Sequence, residues 1–333
     1  MRFTRGHYGI YVPITRDIIA PPLMIGIKGR YKVELIDAST EKVKRKLEFD
    51  NLLTNVGLDL LFTATQNLFT DINYCGVGTG NTTPANTDIA LVAEILPREN
   101  NNAGIGDAAT YQAGPPDFLK VTRVRQFATT EANGNLTEIG FFSAATGSTM
   151  FSRQLIKDGL GNPTTLVKTS SDLLRITYEI DIYPPQSDNV QLAQNISGTN
   201  YDITGRAQNV NQADWGFQFV NAINGLMDTP TTAAPSRYTL GTNGLGTRTG
   251  FTSISGLSSA TSKSLAAYTN GSFSRDQTVI WNTTAGNGTW AKVNMPSPNS
   301  DGGAIYSWGL SPSLVKNNTQ QLTWNFNVSC VRH

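Results

Sequence analysis

Apolar residues recur at every second position over long stretches of this chain, the spacing of strands with one buried face. In GRYKVELID (29–37), Tyr31, Val33 and Leu35 fall on one side and Arg30, Lys32 and Glu34 on the other. After a turn at DAST, KVKRKLEFDN (42–51) resumes the period with Val43, Leu47 and Phe49, which predicts an antiparallel hairpin. FLKVTRVRQFA (118–128) and LTEIGFF (136–142) flank the turn signal NGN. The cleanest alternation is LLRITYEIDIY (173–183), with Leu174, Ile176, Tyr178, Ile180 and Ile182 facing in. QLTWNFNVSC (321–330) has the same form, with Leu322, Trp324, Phe326, Val328 and Cys330 facing in.

Helical spacing is rarer. LTNVGLDLLFTA (53–64) places Val56, Leu60 and Phe62 on a stripe behind Thr54 or Asn55 as N-cap, with Gly57 weakening it. NTDIALVAEIL (86–96) sets Ile89, Val92, Ala93 and Leu96 at i, i+3, i+4 and i+7. NQADWGFQFVNAINGLMD (211–228) is a third candidate, interrupted by Gly216 and Gly225. The fold class expected is therefore mainly β: two antiparallel, jelly-roll-like β-sandwiches with one to three short helices.

YPPQSD (183–188) ends the first unit, because two prolines cannot continue a strand. The organisation expected is an extended arm over 1–24, a β-sandwich over 25–185 and a second β-rich domain over 186–333. A faint echo links the halves. TTEANGNLTEI (129–139) is similar to NTTAGNGTWAKV (282–293), and each is followed by a long alternating strand. Either the halves are related sandwiches, or two β domains share common patterns.

Charge alters the picture. Only 15% of residues are charged and the net charge is +1, against about 25% charged in ordinary domains. A nearly neutral surface has no field to steer polyanions, so nucleic acid is not expected as partner. Asn, Thr, Ser and Gly fill the polar positions, a composition suited to a subunit of an assembly. Two cysteines, Cys75 and Cys330, sit among β-type residues and read as buried, reduced thiols. No apolar run of 18 residues exists, so membrane insertion is not expected. The first 26 residues lack a clean apolar stretch followed by small residues, so they do not read as a signal peptide. Residues 1–24 instead carry Phe3, Tyr8, Ile10, Tyr11, Val12, Ile14, Ile18 and Ile19 with Pro13, Pro21 and Pro22. An extended apolar segment of this kind can add to a neighbour's sheet, which makes Phe3, Tyr8, Ile10, Tyr11, Ile14, Ile18 and Ile19 candidate assembly contacts in a homo-oligomer.

Candidate chemistry is sparse. YCGVGTGNTTPANTD (74–88) raises the question of a phosphate cradle. Its glycines, Gly76, Gly78 and Gly80, alternate; a dinucleotide fingerprint needs the third one position later and a helix after it, and a P-loop needs a lysine. The bland reading is a strand whose small residues admit another backbone. The two histidines, His7 and His333, lie near opposite ends, and zinc ligands are too few. EKVKRK (41–46) reads as a solvated hairpin face. A carboxylate pair of the glycosidase kind is not indicated by any spacing among the 25 acidic residues. No cofactor and no catalytic residue are expected. Trp281, Trp290 and Trp308 sit close to Asn, Thr, Gly and Ser; they are sugar-stacking platforms, interface anchors or sandwich core.

IGIKGRYKVELIDASTEKVKRKLEFDNLLTNVGLDLL, then YCGVGTGNTTPANTDIAL, MFSRQLIKDGLGNPTTL and LLRITYEIDIYPP, resemble virion structural proteins of tailed bacteriophages. The resemblance spans roughly residues 25–185 and rests on the set of elements in order. It implies a β-rich, non-enzymatic component of a phage particle and does not fix its position. The join of this first half to a Trp-rich, unrelated second half leads us to expect a tail- or neck-associated protein, such as a tail fibre or its attachment module. The partners implied are copies of itself and other tail or neck proteins. The location implied is the virion, after assembly in the host cytoplasm. A glycan-binding receptor module, a capsid decoration protein and a depolymerase are the alternatives.

Overall fold

The computed structural model describes residues 14–63, 68–147, 149–211, 238–249, 257–296 and 304–333. The first half opens with β1 (Ile14–Ile19) and β2 (Leu23–Asp37), which turns into β3 (Val43–Asp50) and β4 (Leu52–Leu53). Two short helices follow, α1 (Asn55–Thr63) and α2 (Leu68–Asp71). Then come β5 (Tyr74–Gly78), β6 (Glu94–Glu99), β7 (Ala108–Gln112), β8 (Phe118–Phe127) and β9 (Gly134–Leu136). β10 (Glu138–Phe142), β11 (Met150–Leu155), β12 (Leu166–Lys168) and β13 (Asp172–Tyr183) complete this half. The second half holds β14 (Asn189–Ile196), β15 (Thr199–Ala207), β16 (Thr239–Gly241), β17 (Ser258–Ser259) and β18 (Ser262–Leu265). It ends with β19 (Ser274–Trp281), β20 (Gly288–Pro296), β21 (Ala304–Lys316) and β22 (Gln320–Arg332). The chain is mainly β, as its alternation predicts.

One large sheet runs β7-β8-β13-β2-β22-β19-β18, with β1 beside β22 and β3 beside β2. β13 is antiparallel to β2 and β22 is parallel to it, so like units of three strands flank β2 in opposite directions. The smaller sheet β4-β11-β10-β5-β6 covers the first half, and β14-β15-β21-β20-β16-β17 covers the second. Aromatic contacts join the layers: Tyr178 lies 4.6 Å from Phe141 in the first half, and Phe326 lies 4.7 Å from Trp308 in the second. Each half is thus a sandwich, but the boundary at 183–188 does not divide the large sheet, and one apolar core spans both. The parallel pairing of β22 also departs from the wholly antiparallel sandwiches expected.

The halves repeat one another residue by residue. Phe127 pairs with Leu174 as Trp281 pairs with Leu322. Gly134 pairs with Lys168 as Gly288 pairs with Lys316. Gly78 pairs with Glu138 as Gly241 pairs with Lys292. From Phe127 and Trp281 onward the sequence offset is 154 (288 − 134), falling to 148 by the end of β21 (316 − 168). The difference is a longer connection between β11 and β12, so the faint echo in sequence is a common strand plan.

α1 forms over the expected span behind Thr54, whose Oγ1 accepts from Gly57 N at 2.9 Å. Its buried face is Leu58, Leu61 and Phe62, however, with Val56 and Leu60 of the expected stripe only half-buried. A Cβ at Gly57 would come within 2.2 Å of Phe151 O, so the residue that weakens the helix also lets it dock on β11. The helix expected over 86–96 is absent; a loop and the start of β6 stand there. Pro97 disfavours helical backbone at Leu96, and the N–H groups of Val92 and Ala93 donate to Glu138. Its stripe faces outward, with Ile89, Val92 and Leu96 exposed. Apart from Asn211, the third helical candidate lies outside the described residues.

The arm is corrected over its second part. β1 runs parallel to Gln320–Asn325, and after Pro21 and Pro22 the strand resumes beside β22 from Leu23. Residues 14–24 therefore belong to the sheet of their own chain. Ile18 is fully buried opposite Trp324, while Ile14 and Ile19 are exposed. Phe3, Tyr8, Ile10, Tyr11 and Val12 lie outside the described residues.

Candidate functional site

The glycine-rich stretch cradles an anion, and that anion belongs to the chain. Glu138 projects from β10 and is fully buried. Its Oε1 accepts from Gly80 N at 3.1 Å and Ala93 N at 2.9 Å, and its Oε2 accepts from Val92 N at 3.2 Å. Arg153, buried on β11, donates through Nε to Oε2 at 2.9 Å. The same guanidinium reaches Asp88 Oδ2 at 2.6 Å and Thr82 O at 2.9 Å. A Cβ at Gly78 or Gly80 would lie 2.7 or 2.4 Å from Glu138 Oε1. The alternate glycines are thus where a buried carboxylate needs room, and the loop 79–93 closes over it. Backbone N–H groups converge as in a phosphate site, but the charge they meet is internal and already balanced by Arg153.

Sequence reasoning does not single out Glu138 and Arg153. Their signal is a charged residue inside an otherwise apolar strand, as in LTEIGFF and MFSRQLI. A second missed cluster joins α2 to β8. Arg123 donates to the carbonyls of Phe69 and Ile72 and to Asp107. Arg123 and Arg125 each donate to Asn73 Oδ1 at 2.9 Å. Two cations thereby satisfy carbonyls at the end of a helix.

The repeated turns carry a repeated clamp. Lys168 Nζ donates to Ala128 O at 2.8 Å and Asn133 Oδ1 at 2.9 Å. Lys316 Nζ donates to Asn282 O and Ala285 O at 2.6 Å and to Asn287 Oδ1 at 3.0 Å. Asn133 and Asn287 each donate to a threonine carbonyl four residues back. Both lysines are buried, and burial lowers both pKa values. Their acceptors serve a protonated amine.

Trp281, Trp290 and Trp308 are interior. Trp281 and Trp308 are fully buried and Trp290 nearly so. The indole N–H of Trp281 donates to Ser258 O at 3.0 Å, that of Trp308 to Pro21 O at 3.0 Å, and that of Trp290 to Gly286 O at 2.7 Å. None presents a face on which a sugar could stack, which corrects the platform reading. They are sandwich core, and Trp308 also fastens the β1–β2 connection.

Cys75 and Cys330 are free and buried; burial pushes the Cys75 thiol well up and that of Cys330 up to about 12. Thiols so raised are poor nucleophiles. His333 stacks on Tyr183 with ring centroids 4.0 Å apart, and His7 lies outside the described residues. Among the described residues, no cluster of three or more His, Cys, Asp or Glu is placed to hold a metal ion. A cavity of about 470 Å³ is lined by Arg30, Glu48, Asp50, Lys157 and Asp158, where Arg30 bonds both Glu48 and Asp50. Within EKVKRK, two of the basic residues are partnered across the sheet: Lys44 meets Asp172 at 2.6 Å and Arg45 donates to Thr165 O at 2.9 Å.

Compared with family models, curated proteins and solved structures, the chain matches none.

Proposed function

We propose that this chain is a structural component of a tailed-bacteriophage particle, tail- or neck-associated, acting through contacts with copies of itself and with neighbouring virion proteins. The observation that carries the reading is the Glu138–Arg153 cradle. It ties together YCGVGTGNTTPANTDIAL and MFSRQLI, two of the elements on which the phage resemblance rests. In this reading those elements recur together because they close one loop over one buried ion pair, a requirement of shape and not of catalysis. The shared sheet supports it further, since two sandwiches joined through β2 make a single rigid unit suited to a particle. The low charge favours a surface covered by neighbours.

Quantitative mass spectrometry of purified particles of the encoding phage tests this reading. Copy numbers from a few to some dozens per particle place the chain in the tail or neck. Hundreds of copies would move it to the head, and absence from particles would end the proposal.

A further inference from the structure

The two halves differ in charge at one equivalent position. Lys292 stands in β20 where Glu138 stands in β10, since each pairs with the last glycine of the neighbouring strand, Gly241 or Gly78. Their stems lie the same way. A Cβ at Gly78 would meet Glu138 Oε1 at 2.7 Å, and one at Gly241 would meet Lys292 Cε at 3.0 Å. In the first half the chain supplies both ions, because Arg153 faces Glu138. In the second, Ser307 takes the place of Arg153, by the pairing of Asn294 with Ser307 and of Gly140 with Arg153. Ser307 donates to Asn294 Oδ1 at 2.8 Å, and Asn294 donates to Thr239 Oγ1 at 3.3 Å.

Lys292 is 1% exposed. The other two buried lysines, Lys168 and Lys316, have two and three oxygen acceptors. Among the described residues Lys292 has no hydrogen-bond acceptor and no ion-pair partner, and burial lowers its pKa with no neighbouring charge to offset it. A buried ammonium in a polar setting calls for an anion. Glycines flank Lys292 on both neighbouring strands, Gly241 and Gly309. Gly309 also borders a cavity of about 230 Å³ lined by Asp202, Thr204, Gly244, Leu245 and Ala291, whose wall does not include Lys292 itself.

We propose that Lys292 is the anchor of a binding site for a small oxyanion, a phosphate or carboxylate group, with Asn294, Ser307 and Thr239 as its polar surround. The site answers in the second half to the internal carboxylate–guanidinium pair of the first. It stands whether or not the chain is a virion component.

The test uses the full chain, titrated with inorganic phosphate and separately with acetate at constant ionic strength made up with chloride. Calorimetry and thermal unfolding are the readouts. Saturable binding at one site per chain by either ion, with a rise in melting temperature that saturates in step, is expected. Lys292→Met should weaken it at least tenfold, and Lys292→Arg should retain it. A preference for phosphate or for acetate identifies the group the site favours. Absence of saturable binding of both ions to the wild-type chain would overturn the proposal, even if Lys292→Met did not fold. Unchanged affinity in a folded Lys292→Met chain would overturn it equally.

Discussion

Arg153 Nε lies 2.9 Å from Glu138 Oε2, and both side chains are buried under the loop that carries the alternate glycines. Removing one partner of a buried pair leaves the other uncompensated, at a cost of about 3–5 kcal/mol. Arg153→Met should lower stability by that order in urea unfolding. Glu138→Gln combined with Arg153→Met should recover part of the loss. A loss below about 1 kcal/mol, the range of exposed pairs, would mean that the pair does not hold the loop.

Gly80 and Gly159 make a matched comparison. A Cβ at Gly80 would meet Glu138 Oε1 at 2.4 Å and Val92 Cβ at 2.6 Å, whereas one at Gly159 meets nothing within 4 Å. Gly80→Ala should cost about 1–3 kcal/mol as overpacking. Gly159→Ala should stay within about 0.5 kcal/mol. Equal melting temperatures for the two variants would contradict the cradle.

The lysine clamps predict symmetric damage. Lys168→Met and Lys316→Met each strip the partner from acceptors at the same turn of the repeat. Each should destabilise by about 1–3 kcal/mol. Amide exchange at Gly134 and at Gly288 should quicken in the respective variant. Exchange unchanged at both sites would show that the turns stand without the clamp.

Asp71 gives a pH signature. It is buried, its Oδ2 has no hydrogen-bond partner, and burial pushes its pKa from 3.8 up to about 8. The folded chain keeps a proton that the unfolded chain releases above pH 3.8. Stability from this group is therefore full below that pH and declines as pH rises to about 8. Over that window the decline is about 1.4 kcal/mol for each step of one in pH. Asp71→Asn should remove this part of the slope and be the more stable protein at pH 8, by urea unfolding across about pH 4–9. Parallel profiles for the two proteins would contradict the burial of a protonated carboxyl.

Ile18 and Ile19 separate the two readings of the N-terminal segment. Ile18 is 0% exposed and Ile19 is 64% exposed. Ile18→Ala should cost about 2–5 kcal/mol as a core truncation. Ile19→Ala should change stability by no more than about 0.5 kcal/mol. If neither variant changes stability, β1 is not part of the folded core.

What could be read in advance follows from the range of the interactions. β2, β3, β8 and β13 are legible because strand alternation is local and each buries one face. Residues 86–96 mislead because their helical spacing is overruled by a distant carboxylate, Glu138, which takes two of the N–H groups that a helix would use. The pairing of β1 with β22 joins positions 306 apart (320 − 14), and parallel pairing leaves no turn signal to reveal it. Trp281, Trp290 and Trp308 sit among small polar residues in sequence, yet alternation turns the rings inward; Asn282 and Thr289 are exposed, while Ser307 is buried as well. Glu138 and Arg153 stay hidden because a buried ion pair is recognised only when both strands are in register.

The position of the chain in a particle tests the central claim most directly. Particles of the encoding phage, carrying a dense label fused after His333, would be imaged at low resolution beside unlabelled ones. The account predicts added density at the tail or neck, repeated with the symmetry of that region. Label spread over the head, or particles that form and infect normally without the chain, would contradict it.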